Sequence, residues 1–206
     1  MSPAVIPTAV LLPLILLCAA PDDTSLRQIV GRWRSLETSK GGIGATYEFH
    51  ADGAVDFSPG AVVEMPWRME DGQLLLPSGG VDGSEQKLTL KWLGENRVQF
   101  VSGNSTADEL TRKGDRSDTN PIIGEWMGTR DMGGRKLEMH WFFYSAGKGL
   151  FLLPFVSQHG HYTITNRTLH VEMPNTNAQD FKFELKDNAL TLSKPDGSGE
   201  YRYARY

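Results

Sequence analysis

A chain of 206 residues with 39% hydrophobic and 22% charged side chains has the composition of an ordinary globular protein, so disorder is expected only at its ends and in a linker. The formal net charge is −4 and no run of Lys or Arg is longer than two. That excludes the clustered basic face needed to neutralise nucleic-acid phosphates.

In chain order, residues 1–20 carry no charged side chain and include the apolar run Ala9 to Leu17. The run is too short to cross a bilayer and reads as the core of a signal peptide, which implies a secreted or periplasmic protein. Two maturation routes stay open. Cys18-Ala19-Ala20 offers small residues for ordinary cleavage. A bacterial lipoprotein route would instead attach lipid to Cys18, although Leu17 is not the small residue usual before such a cysteine. Membrane contact is expected only through that lipid. Cys18 is the only cysteine, so stability of the mature chain rests on its cores and not on disulfides.

Asp22-Asp23-Thr24-Ser25 leads into Leu26, Ile29 and Val30, whose spacing predicts a short N-terminal helical turn over 24–30. From Gly31 the period changes to two. Candidate strands are Gly31 to Glu37, Ala45 to His50, Ala54 to Phe57, Val62 to Met69, Gln73 to Leu76, Gln86 to Trp92, Arg97 to Val101 and Ala107 to Arg112. Asp52-Gly53, Pro59-Gly60, Asp71-Gly72, Gly79-Gly80 and Glu95-Asn96 supply the turns between them. Residues 114–121 are polar, end in Pro121 and read as an interdomain linker.

The pattern then begins again. Ile29-Val30-Gly31-Arg32-Trp33 returns as Ile122-Ile123-Gly124-Glu125-Trp126, followed by strands near Gly124 to Arg130, Lys136 to Tyr144, Gly149 to Val156, Gly160 to Thr165, Thr168 to Met173, Asp180 to Leu185, Ala189 to Ser193 and Glu200 to Ala204. Trp67, Asp71 and Leu74 correspond to Tyr162, Asn166 and Leu169, and Leu110-Thr111-Arg112 to Tyr203-Ala204-Arg205.

Gly-x-Trp on a first strand, aromatic-x-Phe before a glycine turn and apolar-x-Arg on a last strand make each copy resemble the small bacterial lipocalin-like domain families of calycin type. The resemblance covers residues 27–113 and 120–206. It implies that each copy is a small eight-stranded antiparallel up-and-down barrel; with the repeat, the leader and the linker, the chain reads as all-β with two such barrels in tandem: a signal peptide at 1–20, barrel one at 24–113, a linker at 114–121 and barrel two at 122–206. It also implies that Trp33 pairs with Arg112, and Trp126 with Arg205, as cation–π contacts closing the barrel ends.

An eight-stranded barrel has room inside for side chains or one small ligand. Copy two offers Trp126, Trp141, Phe143, Phe151, Tyr162, Phe181 and Phe183 to crowd its own lumen, which makes copy one the better host. Trp33, Tyr47, Phe49, Trp67 and Trp92 are its candidate ligand-binding residues. Outside copy two, Phe142, Tyr144, Leu150 and Leu152 form an apolar patch whose nearest partner is copy one. If Asn166-Arg167 is a two-residue turn, Thr163 opposes His170 and His161 opposes Glu172. His159, His161, His170 and Glu172 then share an outer face, where a solvated surface and a zinc or copper site are the competing readings. The turn carboxylates and serines lack a nucleophile context, and Gly79-Gly80-Val81-Asp82-Gly83 lacks the lysine of a phosphate loop. The chain therefore reads as a non-catalytic secreted or envelope binding protein without a cofactor, whose partner is a small apolar ligand or another envelope protein. A metal-dependent enzyme or metal-binding protein using the histidine face is the alternative.

Overall fold

The computed structural model describes residues 28–78, 84–103, 105–117 and 119–206. The expected signal peptide, Cys18 and residues 24–27 of the expected helical turn lie outside them; Gln28 and Ile29 have helical backbone. Among the described residues no helix is long and apolar enough to cross a membrane.

The chain is all-β. Its strands are β1 (Gly31–Ser35), β2 (Ile43–Phe49), β3 (Ala54–Pro66), β4 (Arg68–Glu70), β5 (Gln73–Pro77), β6 (Glu85–Gly94), β7 (Arg97–Ser102), β8 (Ser105–Lys113), β9 (Gly124–Met132), β10 (Arg135–Phe143), β11 (Lys148–Pro154), β12 (Gln158–Thr165), β13 (Thr168–Glu172), β14 (Gln179–Lys186), β15 (Ala189–Ser193) and β16 (Glu200–Arg205). Alternation sets their faces. Leu169 and Val171 on β13 point inward and are buried, as are Tyr162 and Ile164 opposite them on β12. Asn166 and Arg167 both have positive φ, the geometry of a two-residue type I′ hairpin, and they set the expected register of Thr163 with His170 and His161 with Glu172.

Eight antiparallel strands close into a barrel in the order β3-β2-β1-β16-β15-β14-β13-β12, with β12 pairing back onto β3. This barrel draws on both sequence copies, which differs from the expected one barrel per copy over 24–113 and 122–206. The cause is β3. Pro59-Gly60, expected to turn the chain, lies inside a single 13-residue strand. The first part of β3 pairs with β12, and its end runs on to pair with β11, Gly60 opposite Pro154. The Pro59 carbonyl accepts from the Phe155 amide at this handover, so the missing proline N–H falls where β12 gives way to β11. A Cβ on Gly60 would sit 2.2 Å from the Leu153 carbonyl oxygen, so the two strands cross closely only because that position is glycine.

The other strands follow in the order β11-β10-β9-β8-β7-β6-β5-β4, with β4 beginning just beyond β3 across Trp67. They curl around a second core that includes Leu74, Phe100, Trp126, Trp141 and Phe143. The expected linker, residues 114–121, falls between β8 and β9, which are paired neighbours inside this sheet; residue 118 lies outside the described residues.

The repeated Gly-x-Trp motif has one geometry in both copies. Trp33 Nε1 donates to the Ile29 carbonyl and Trp126 Nε1 to the Ile122 carbonyl, each at 2.7 Å. Arg205 lies 4.3 Å from the ring centre of Trp33, and Arg112 lies 4.2 Å from that of Trp126. The expected stacking is therefore present with its partners exchanged, because β1 pairs with β16 and β9 with β8. Gly31 and Gly124 have φ of 126° and 129°. A Cβ on either would meet the arginine Nη1, at 2.3 Å and 2.9 Å respectively.

Where the barrel meets the curled sheet, Phe142, Leu150, Leu152 and Val62 are buried with Tyr206 against them. Phe142, Leu150 and Leu152 of the expected patch thus pack on copy one through Val62 and on Tyr206, whereas Tyr144 of the same patch is exposed. Arg32 lies 5.3 Å from the Phe142 ring centre and 5.2 Å from that of Tyr206, and donates to both carboxylate oxygens of Glu125 at 3.0 Å. Arg32 and Glu125 are the middle residues of the two Gly-x-Trp motifs.

The exchange predicts the outcome of double-mutant cycles on urea unfolding. Arg112→Leu and Trp126→Leu should couple by about 1 kcal/mol or more, while Arg112→Leu and Trp33→Leu should be additive within about 0.5 kcal/mol.

Candidate functional site

The expected ligand set is divided by the exchange. Trp33, Tyr47 and Phe49 lie in the closed barrel, whereas Trp67 lies in the second core and donates to the Lys148 carbonyl at 2.8 Å. Trp92 is 38% exposed, with its ring 5.8 Å from Trp126. The aromatic residues expected to crowd copy two divide likewise. Tyr162, Phe181 and Phe183 line the closed barrel, and Trp126, Trp141, Phe143 and Phe151 the other core.

Of the expected five, Trp33 lines a shallow hollow beside Arg205, and Tyr47 lines a pocket at the other end of the barrel. Opposite the end sealed by Trp33 and Arg205, a pocket of about 280 Å³ is lined by Ser35, Gly44, Ala45, Tyr47, Phe57, Gln179, Phe181, Leu192, Tyr201 and Tyr203. The Ser35 hydroxyl is committed to Ala45, accepting from its amide at 2.8 Å and donating to its carbonyl at 3.0 Å. Tyr47 and Tyr203 meet edge-to-face, 5.4 Å between ring centres. Burial pushes the Tyr47 phenol up to about 12 and raises that of Tyr203 as well. Both hydroxyls therefore stay protonated donors, and among the described residues neither makes a hydrogen bond. The lining holds no formal charge, so it suits an uncharged apolar body with an acceptor at one end. Sequence alternation had placed Phe181 inward. Leu192 and Tyr203 join it from the neighbouring strands β15 and β16 of the same copy, whereas Phe57 and Tyr47 join through the pairing of β1 with β16 and of β3 with β12, which alternation does not encode.

A second hollow, of about 230 Å³, lies at the junction and is mostly polar. On the barrel side, Glu48 and Asp56 are register partners on β2 and β3, and His159 faces Asp56 from β12. His50 Nε2 meets Asp56 Oδ2 at 2.9 Å, and His159 Nδ1 pairs with Asp56 Oδ1. The Asp56 hydrogen bond raises the pKa of His50. Burial opposes ionisation of Asp56, but hydrogen bonds from His50 and His159 outweigh it and lower its pKa. Across the hollow, His140 Nδ1 lies 3.3 Å from Glu125 and its Nε2 3.0 Å from Glu138.

The histidines expected on one outer face do not converge. His159 turns to Asp56, while His170 is held between Asp180 at 2.6 Å and Glu172 at 3.1 Å. Among the described residues, the group whose ligand atoms do converge is Glu48, His50 and Asp56.

These observations define a class: a β-barrel protein with one sealed end, an aromatic pocket at the other and a polar junction beside it. Comparison with protein-family models, curated proteins and solved structures finds no match.

The junction predicts a pH dependence. Burial lowers the His140 pKa, but its hydrogen bonds to Glu125 and Glu138 prevail and raise it above the ordinary 6.5. Its stabilisation is then complete below that value and is lost as pH rises through the raised folded value. Burial likewise works against ionised Glu125, yet His140 and Arg32 lower its pKa below the ordinary 4.5, so its contribution is lost as pH falls through the lowered value. His140→Gln should therefore lower Tm more at about pH 5.5 than at about pH 8.5 in a calorimetric series. An equal loss at both would contradict the assignment.

Proposed function

We propose that the protein is a non-catalytic, exported binding protein of lipocalin-like kind, whose closed barrel takes one small, uncharged, mostly apolar molecule at its open end. The observation that carries this reading is the pair of largely buried tyrosines, Tyr47 and Tyr203, in an uncharged, mainly aromatic pocket. Phenol donors that reach an open pocket without a protein partner favour a ligand that brings an acceptor, because a ligand lacking one would cover them and leave them unpaired. The apolar leader supports export, with Cys18 as the residue that would tether the chain if it is lipidated. In this reading the curled sheet is a second small barrel of the same type, closed through Trp67 and filled by its own side chains. The apolar rim side chains Leu36, Ile43 and Tyr201 are 46%, 49% and 43% exposed, and they would extend the binding surface or meet the partner that delivers the ligand.

Calorimetric titration with three probes of matched size tests the proposal. Acetonaphthone, with a carbonyl, should bind more tightly than ethylnaphthalene, and naphthoate should bind least. Tyr203→Phe should reduce the preference for the ketone by about three- to tenfold, at little cost in stability. Equal binding of all three, or a preference unchanged by Tyr203→Phe, would contradict it.

A further inference from the structure

We infer that the Glu48–His50–Asp56 cluster at the junction is a binding site for a divalent transition-metal ion, with zinc the best-fitting occupant. All three side chains come from the β2–β3 hairpin. Asp56 lies opposite Glu48 across the ladder, and His50 is the first residue past the end of β2. One potential ligand atom from each lies within 4.8 Å of the other two. Tetrahedral zinc, with bonds of about 2.0–2.2 Å, needs ligand atoms roughly 3.3 Å apart. His50 Nε2 and Asp56 Oδ2, at 2.9 Å, are already near that separation, and Glu48 offers an oxygen within 4.8 Å of both.

Two features separate this cluster from an ordinary surface ion pair. His159 reaches Asp56 from β12 on the carboxylate oxygen that His50 leaves free, the arrangement by which an outer partner orients a metal-binding carboxylate. Glu48 and Asp56 also line the 230 Å³ hollow, which leaves space beside the two carboxylates for water or an exogenous group. Arg32, the cation nearest in the lining, is engaged by Glu125. One imidazole and two carboxylates without a thiolate favour zinc, cobalt, nickel or copper(II) over copper(I). His170 has both ring nitrogens engaged by Asp180 and Glu172 on a different part of the barrel wall, so it supplies an internal control.

The test is zinc titration of the full chain, purified without a histidine tag, by calorimetry near neutral pH, with cobalt absorption as a second readout. One ion per chain should bind at micromolar affinity or tighter, and cobalt should give the intense visible bands of a low-symmetry site. His50→Gln and Asp56→Asn should each weaken zinc by about tenfold or more, His159→Gln by less, and His170→Gln not at all. Glu48→Gln, isosteric and on the barrel exterior, should reproduce the loss with the thermal unfolding of the metal-free chain unchanged. Absence of saturable binding, binding unaffected by His50→Gln and Glu48→Gln, or binding removed by His170→Gln would each overturn the proposal.

Discussion

The fold depends on a guanidinium stacked on an indole. At the sealed end of the barrel, Arg205 covers Trp33 and donates to the carbonyls of Val30 and Gln28, at 2.7 and 2.8 Å. Arg112 does the same over Trp126, reaching the carbonyls of Ile123 and Pro121. The arrangement joins the first strand of one copy to the last strand of the other, satisfies backbone acceptors left by the approach to the strand, and requires the motif glycine because its Cβ position is taken by the arginine. A cation held this way gains both from the ring face and from charge-assisted hydrogen bonds.

Both copies carry the same closing chemistry, so the stacked pairs alone do not choose between partners within a copy and partners across copies. The choice is made at β3, which passes straight through Pro59-Gly60 into the other half, and in the returning segment from Pro154 to Ser157. Side chains at this crossing gain contacts specific to it: Ser58 and Ser157 hydroxyls at 3.0 Å, Arg32 with Glu125, and Phe142 packed with Val62 and Tyr206. The copies also differ most usefully here. Phe142 of copy two, matched in sequence to Glu48, is buried at the junction, whereas Glu48 lines the polar hollow. One repeat supplies packing where the other supplies ligand-type side chains.

Much of this was legible in the sequence. Period-two alternation located most of the strands, and taking Asn166-Arg167 as a two-residue turn leads to the hairpin register that the structure shows. The burial of Trp33 and Trp126, and the pairing of each with a last-strand arginine, were also readable. The partner of each was not, since inward and outward positions are identical whether a barrel closes within a copy or between copies. Pro-Gly is ordinary turn chemistry, and its place inside β3 depends on where two distant strands exchange. The same long-range pairing explains the sites. Tyr47 was identified, but Tyr203 joins it only through the contact between β1 and β16, and the Asp56–His159 pair only through β12 on β3.

The central claim, that the barrel is assembled across the copies, is tested most directly by disulfide trapping in a chain with Cys18 replaced by Ser. Arg34 and Ala204 are register partners on β1 and β16, and antiparallel partners lie about 4.5–5.5 Å apart at Cα, within reach of a disulfide. The double variant Arg34→Cys with Ala204→Cys should oxidise to an intramolecular disulfide, identified by mass spectrometry of the linked peptides, while Arg34→Cys with Thr111→Cys should not. Efficient linkage of the second pair and failure of the first would mean that each copy closes on itself, contradicting the account.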